Sequence, residues 1–443
     1  MQSNVRAAVI PLTVLSVLNC LLPMAPESAT AAAQPQVPVA ASERVQEHLA
    51  ELAHFGANPE GGVSRVAFSD ADVAGRAYVR QLMEAAGLEV RIDTAGNLIG
   101  RLEGTDRKLP TIIVGSHTDS VPHGGNYDGD VGVMGGIEVA QQLRDRHVRL
   151  RHALEVVDFT DEEGGLVGSR AMAGELSAAT LDLVNSSGRS VRDGIRALGG
   201  DPDAIGRAQR KPSELVAYLE LHIEQGPTLV AQGLPAAVVS GIRGCRRFRN
   251  ARCIGEYAHS GAVARPYRHD AVAATVALLH HMEHVWLKHE AAGEDLVLTA
   301  GELFTDAALH GPSKIAGETR FVLDIRALSD ATMDAVVDEA RAAANRIAEA
   351  YHVHIDLGTT SDSPPAVMDQ RLRARLMGLL ERPFEMPSGA GHDAAVFAKV
   401  GIPSAMIFVR NEHGSHNPEE AMNLDDFAAG TRALLGLLMN FPI

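Results

Sequence analysis

The sequence predicts an α/β protein in two parts: a discontinuous domain with a mixed sheet flanked by helices, and a smaller α+β domain inserted into it. Over most of the chain, short apolar runs alternate with helical segments and glycine-rich loops, which is the pattern of an α/β domain. Between residues 244 and 359 the order changes to strand, helix, two strands, helix and strand, which suits a ferredoxin-like sheet with its helices on one face. The first pattern then returns, so the larger domain is expected to comprise residues 43–243 and 360–443. With 443 residues, 46% apolar and 22% charged, the chain is long enough for two hydrophobic cores.

Taken in order, residues 1–42 stand apart. Arg6 precedes an apolar stretch from Ala7 to Ala25, and Ala29-Thr30-Ala31-Ala32-Ala33 follows before Gln34-Pro35. That order resembles a secretory signal. The single positive charge and Pro11 inside the run leave a disordered extension as the alternative, so export and a cytoplasmic location both stay open. Residues 109–115, 152–159, 215–221 and 403–409 are apolar runs that read as buried strands. Each is followed at once by polar residues of catalytic type, and open α/β sheets bind ligands at the carboxyl ends of their strands. In the insert, strands are expected at 246–257, 296–303, 319–325 and 353–357, and helices at 269–289 and 333–351.

A formal charge of -16 argues against nucleic acid or an anionic membrane as partner, because both call for a basic face. A small-molecule substrate fits better. No stretch after the N-terminal segment is long and apolar enough to span a bilayer. Cys20, Cys245 and Cys253 are too few and too scattered for a disulfide framework and read as unpaired thiols.

Five short segments carry the chemistry. In Val114-Gly115-Ser116-His117-Thr118-Asp119, a histidine and an aspartate stand two apart as a strand ends; a neutral imidazole suits zinc, and a polar turn is the plainer reading. Asp128 follows eleven positions later, ahead of a glycine-rich helix, either as a metal ligand whose two oxygens could bridge ions or as a helix cap. Asp161-Glu162-Glu163-Gly164 is a solvated acidic turn or a metal site; in the second case one glutamate binds while its neighbour takes a proton from water. His222, in His-Ile-Glu-Gln-Gly-Pro, and His416, in Gly-Ser-His-Asn-Pro, complete the set. A lone histidine is usually structural; five such segments behind apolar strands point to one site.

The segments GSHTDSVPHGGNYDG, DEEG, LELHIEQGP, AHSGAV, VLDIR, PSGAGHDA and GSHNPEEAM, in this order, resemble the N-carbamoyl-L-amino acid hydrolases with allantoate amidohydrolase and β-ureidopropionase, within the di-zinc aminoacylase and carboxypeptidase superfamily. The resemblance implies two divalent ions per subunit: zinc suits three histidines and two carboxylates without a thiolate, and manganese, cobalt or nickel are chemical alternatives. It implies that Asp128 bridges the ions, that Glu163 and His416 complete one site and that His117 and His222 complete the other. Glu162 would be the general base, Asp119 the acid that orients His117, and His259 the donor that stabilises the oxyanion. Gln225, His259, Arg326 and Gly391 match substrate-contacting positions, and His392 and Asp393 share the loop of Gly391. The insert would serve as lid and homodimer contact. Hydrolysis of an N-carbamoyl-L-amino acid is the implied activity, with allantoate, β-ureidopropionate or an N-acyl amino acid as other substrates of the same group, and a catalytically silent relative as the rival class.

Two departures bear on the substrate. Many members carry Asn-x-Ile-Pro-Gly where this chain has Ser313-Lys314-Ile315-Ala316-Gly317, so a hydroxyl replaces a substrate-binding amide. The usual Glu-Glu-Gly-x-Arg-Phe is here Glu162-Glu163-Gly164-Gly165-Leu166-Val167, without the arginine.

Overall fold

The computed structural model describes residues 39–441. The expectation for the N-terminal segment falls largely outside these residues, apart from a helix, Val39–Leu52, that begins within it. Among the described residues no helix is long and apolar enough to cross a membrane, and Cys245 and Cys253 are free thiols.

Four parallel strands form the centre of a nine-stranded sheet, in the spatial order Leu154–Phe159, Thr111–His117, Leu215–Ile223 and Ser404–Val409. All six residues of Leu154–Phe159 and all seven of Thr111–His117 are buried. Ile112 and Val114 enter the core under helices Val39–Leu52, Asp130–Asp145 and Leu424–Met439, whereas Ile113 joins Phe159, Tyr218 and Phe397 on the opposite face. Burial on both faces explains why these strands read as unbroken apolar runs. Antiparallel strands Leu98–Leu102 and Glu89–Ile92 extend one side of the sheet, and Ala236–Ile242, Ala366–Val367 and Glu385–Ser388 extend the other.

Gly244–Ile254, Val297–Thr305, Glu318–Ala327 and His354–Asp356 form a second, antiparallel sheet in the spatial order fourth, first, third, second. Along Glu318–Ala327 every second residue is buried. That face packs against helices Ala271–Ala291 and Asp330–Tyr351 around Phe248, Leu278, Phe321 and Val336. The strand–helix–two strands–helix–strand order is the one read from the sequence. The sheet also takes in Thr360–Ser363, paired with Gly244–Ile254, and so runs past the boundary expected at residue 359.

Candidate metal centre

The four parallel strands end at one edge of the large sheet, and the chain reverses direction there. Helix Asp130–Asp145 carries it from Thr111–His117 to the neighbour on one side, whereas Leu215–Ile223 lies on the other. The crevice at such a reversal is where open α/β sheets hold ligands. Around a cavity of about 200 Å³ at this point stand His117, Asp128, Glu162, Glu163, Leu166, His222, Gln225, Ala390, Gly391, His392 and His416.

Both strand-borne histidines have a fixed tautomer. His117 Nδ1 lies 2.9 Å from the carbonyl oxygen of Asp119, and His222 Nδ1 lies 2.9 Å from that of Ile223. A carbonyl only accepts, so each Nδ1 donates and each Nε2 keeps a lone pair for another partner. The Nε2 atom of His222 is buried without a hydrogen-bond partner, as is Oε1 of Glu163.

The orienting contact on His117 comes from the main chain of Asp119, whose Oδ1 is 3.8 Å from Nδ1. The Asp119 carboxylate instead accepts the backbone N–H groups of Glu162 and Glu163, each at 3.2 Å, and holds the start of the short helix Glu162–Gly165 against the end of its own strand.

Asp128 caps no helix: Gly129 occupies the cap position, and the two Asp128 oxygens diverge. Its Oδ1 is 3.1 Å from His222 Nε2 and its Oδ2 is 3.1 Å from His416 Nε2. Oδ2 also accepts from Gln225 Nε2 at 2.9 Å and from Ser415 Oγ at 2.6 Å. His416 Nε2 lies 3.4 Å from Glu163 Oε1. Two triads of ligand atoms therefore share Asp128: one has His117 and His222, the other Glu163 and His416, with the atoms of each triad within 4.8 Å of one another. Orphaned buried ligand atoms, three imidazoles and two carboxylates fit a pair of divalent cations and leave no thiolate to favour a softer metal.

The acids after Phe159 are not a solvated turn; the Glu162 side chain is only 9% exposed. Burial pushes its carboxyl well above the ordinary carboxylate range, against the attraction of His117 and with repulsion from Asp393 and Glu163. Burial likewise pushes Glu163 up to about 7. For Asp128 burial acts upward too, but the imidazoles of His222 and His416 against its two oxygens, with His117 nearby, prevail and hold it well below the usual range. The crowding shows in the backbone: Asp161, Leu166, Gln225, His413 and His416, none of them glycine, have φ between +51° and +66°. One glycine is required by space, since a Cβ on Gly129 would lie 2.4 Å from Cε1 of His117.

Several supporting residues escaped the sequence reading. Arg65, 1% exposed, donates to the carbonyl of Thr118 and pairs with Asp130 at 2.6 Å, bracing both ends of the loop that carries Asp128. Glu220 accepts from Ser116 Oγ at 3.0 Å and from the N–H of Ala394 at 3.0 Å, and Ser388 Oγ stands 2.9 Å from Nε2 of His392, which the sequence did place at the site. Glu420 and Ser415 connect the Asp128 and His416 loops. The pairing of Arg65 with Asp130 and the contact of Glu420 with the Asp128 backbone join distant segments, so no local spacing could have announced them.

Besides Asp119, which acts from behind Glu162 and Glu163, three residues expected at the site do not line the cavity. His259 lies on a two-stranded ribbon, Ala258–His259 with Lys314–Ile315, and Ser313 immediately precedes its second strand, where its carbonyl accepts the N–H of Ser260. His259 Nδ1 accepts from the N–H groups of Gly261 and Ala262, which leaves Nε2 to carry the ring proton. Arg326 pairs with Asp324 at 3.0 Å and donates to the carbonyl of Gly389 at 2.9 Å, beside the loop that supplies Ala390, Gly391 and His392 to the cavity.

Residues 113–440 match the family model described as peptidase family M20/M25/M40. The chain is 37% identical to N-carbamoyl-L-amino acid amidohydrolase of Geobacillus stearothermophilus over 88% of its own length and 96% of the relative's. It is 32% identical to allantoate amidohydrolase of Escherichia coli, over 89% and 97% of the two chains. A hydantoinase/carbamoylase family amidase from Burkholderia ambifaria superposes with a TM-score of 0.82 at 31% identity, covering 90% of this chain and 97% of that one. With its family match spanning most of the sequence and the ligand triads at the carboxyl edge of the sheet, this chain belongs to peptidase family M20/M25/M40.

Proposed function

We propose that the chain hydrolyses the C–N bond of a small carboxylate-bearing substrate, an N-carbamoyl-L-amino acid, to give the L-amino acid, carbon dioxide and ammonia. The observation that carries this reading is the pair of ligand triads sharing Asp128, with Glu162 lining the same cavity. Two divalent cations held by His117, Asp128, Glu163, His222 and His416 would supply Lewis acidity and make water a competent nucleophile near neutral pH.

Glu162 contributes a carboxylate whose burial makes it a stronger base than an exposed glutamate, so it takes a proton from water as the oxygen attacks the carbamoyl carbon. It returns that proton to the amino-acid nitrogen as the C–N bond breaks. The carbamate released then decomposes to carbon dioxide and ammonia. Asp119 fixes Glu162 through its backbone N–H, and Gln225 steadies Asp128.

Substrate recognition is assigned to Gly391 and His392 at the cavity wall and to His259, Ser313 and Arg326 on the second sheet. His259, protonated on Nε2, is a suitable donor to the developing oxyanion once that sheet closes over the cavity, or once a second copy presents it in a homodimer. Arg247 and Arg326 share the single Asp324 carboxylate, at 2.8 and 3.0 Å. Among the described residues these two guanidinium groups have one carboxylate between them, which favours a substrate carboxylate beside Gly389. The test is ammonia release from N-carbamoyl amino acids, allantoate and β-ureidopropionate by zinc-, manganese-, cobalt- and nickel-loaded protein. N-carbamoyl amino acids should be the best substrates; turnover confined to another member of the panel moves the assignment to that compound.

A further inference from the structure

We propose that Glu420, acting with Ser415, is a positioning residue that fixes Asp128 as the ligand shared by two cations. The inference rests on the metal reading above and concerns residues to which no role has been given. Asp128 lies in the stretch between strand Thr111–His117 and helix Asp130–Asp145, so no strand ladder or helix sets its backbone. His416, at φ +59°, lies in a second irregular loop. Two irregular segments make a precise metal site only when each is pinned to the other.

Glu420 does so with both oxygens. It is 5% exposed, and its Oε1 accepts the backbone N–H groups of Tyr127 at 2.8 Å and Asp128 at 3.1 Å. Its Oε2 lies 2.6 Å from Ser415 Oγ, and that hydroxyl lies 2.6 Å from Asp128 Oδ2. The carboxylate therefore holds Asp128 by its backbone, and the Ser415 hydroxyl, whose single proton serves one carboxylate at a time, sits between the two side chains. Gly125 packs so closely on Glu420 that a Cβ there would lie 2.2 Å from its carboxyl carbon, so the Asp128 loop is moulded on this side chain. Partners outside a ligand shell set ligand orientation, and their loss weakens metal binding without removing a ligand.

The position of Ser415 says which ion should suffer. It precedes His416 and contacts the Asp128 oxygen that faces His416, so the effect should fall on the ion of the Asp128, Glu163 and His416 triad. A glutamine at 420 keeps an oxygen for the two backbone N–H groups and offers an amide N–H to Ser415 Oγ, which stays free to donate to Asp128. An alanine keeps none of these.

The experiment measures the affinities of both ions by competition with a chromophoric chelator, together with the visible spectrum of the cobalt-loaded protein, for the parent, Glu420→Ala, Glu420→Gln and Ser415→Ala. Glu420→Ala should weaken one ion about 10–100-fold, leave the other near the parent value and alter the cobalt spectrum. Ser415→Ala should weaken the same ion, and Glu420→Gln should restore most of the parent affinity. Should Glu420→Ala fail to fold, Ser415→Ala decides, because it removes a single hydroxyl. Parent-like binding of both ions by either alanine variant overturns the proposal, as does a Glu420→Gln protein as defective as Glu420→Ala. A parent chain that binds fewer than two ions overturns the metal reading itself, and this inference with it.

Discussion

Substituting Gly129 by alanine adds one methyl group at the place where the structure has least room for it. The new carbon would stand 2.4 Å from Cε1 and 2.5 Å from both ring nitrogens of His117. Ordinary contacts between such atoms are about 3.5 Å, so the ring or the helix start must yield by roughly 1 Å. The ring has little freedom: it is 2% exposed and bonded to the Asp119 carbonyl at 2.9 Å. Gly129 also has φ +69° and ψ -45°, a conformation strained for any L side chain. Backbone strain and overpacking together should cost on the order of 2–5 kcal/mol in stability. A displacement of that size far exceeds the roughly 0.2 Å tolerance of a metal–ligand distance, so the ion of the His117 triad should bind much more weakly. Denaturant unfolding of chelated protein reads the first effect, and chelator competition reads the second. A Gly129→Ala chain that unfolds at the parent midpoint and binds both ions with parent affinity would refute the packing argument and the ligand role of His117 together.

Other expectations follow from the same geometry. Glu162→Gln should keep both ions yet lose about 10²–10⁴-fold in turnover, the range of general acid–base catalysis, while Glu163→Gln should also weaken one ion; near-parent turnover in Glu162→Gln reverses the two roles. Metal binding should release protons below pH 7, because Glu163 retains its proton up to about 7 in the absence of cations, and the release should diminish as pH rises through that value. Titration calorimetry in two buffers of different ionisation enthalpy measures it. The same raised value sets the sign for stability. An unfolded glutamate titrates near 4.3, so between about 4.3 and 7 the folded chelated chain holds a proton the unfolded chain lacks. Its stability should therefore fall as pH rises through that window, and a rise would contradict the assignment. Arg326→Ala should lower kcat/KM for N-carbamoyl amino acids by the equivalent of about 2–5 kcal/mol, and far less for their carboxamides, if the guanidinium holds a substrate carboxylate.

The parts of this protein that were legible in its sequence are those in which one segment carries its own signal. The four central strands are buried on both faces and so are written as continuous apolar runs ending in polar clusters. Glu89–Ile92, with no residue fully buried, writes no such run and was not anticipated. His117, Asp128, Glu162, Glu163, His222 and His416 were visible because they stand in polar segments at or soon after the ends of apolar runs, and the structure brings all six around one cavity. What the sequence concealed is contact at long range and contact by main chain. Arg65 reaches Asp130, and Glu420 reaches Asp128 across 292 positions. His117 is oriented by a carbonyl, a group every residue possesses, so the Asp119 side chain invited the wrong atom. Arg326 shows the limit of a motif: its place in the chain was clear, but its pairing with Asp324 and Gly389 depends on how the second sheet meets the first.

The most direct test of the account is a single titration: exhaustively chelated protein, a fixed concentration of an N-carbamoyl-L-amino acid, and stepwise addition of a divalent ion with ammonia release as the readout. The account predicts no hydrolysis at the start, a rise that saturates near two ions per chain, and no recovery in an Asp128→Ala variant, which has lost the ligand common to both triads. Full hydrolysis by the chelated protein, or recovery of the Asp128→Ala variant to the parent rate, would contradict it.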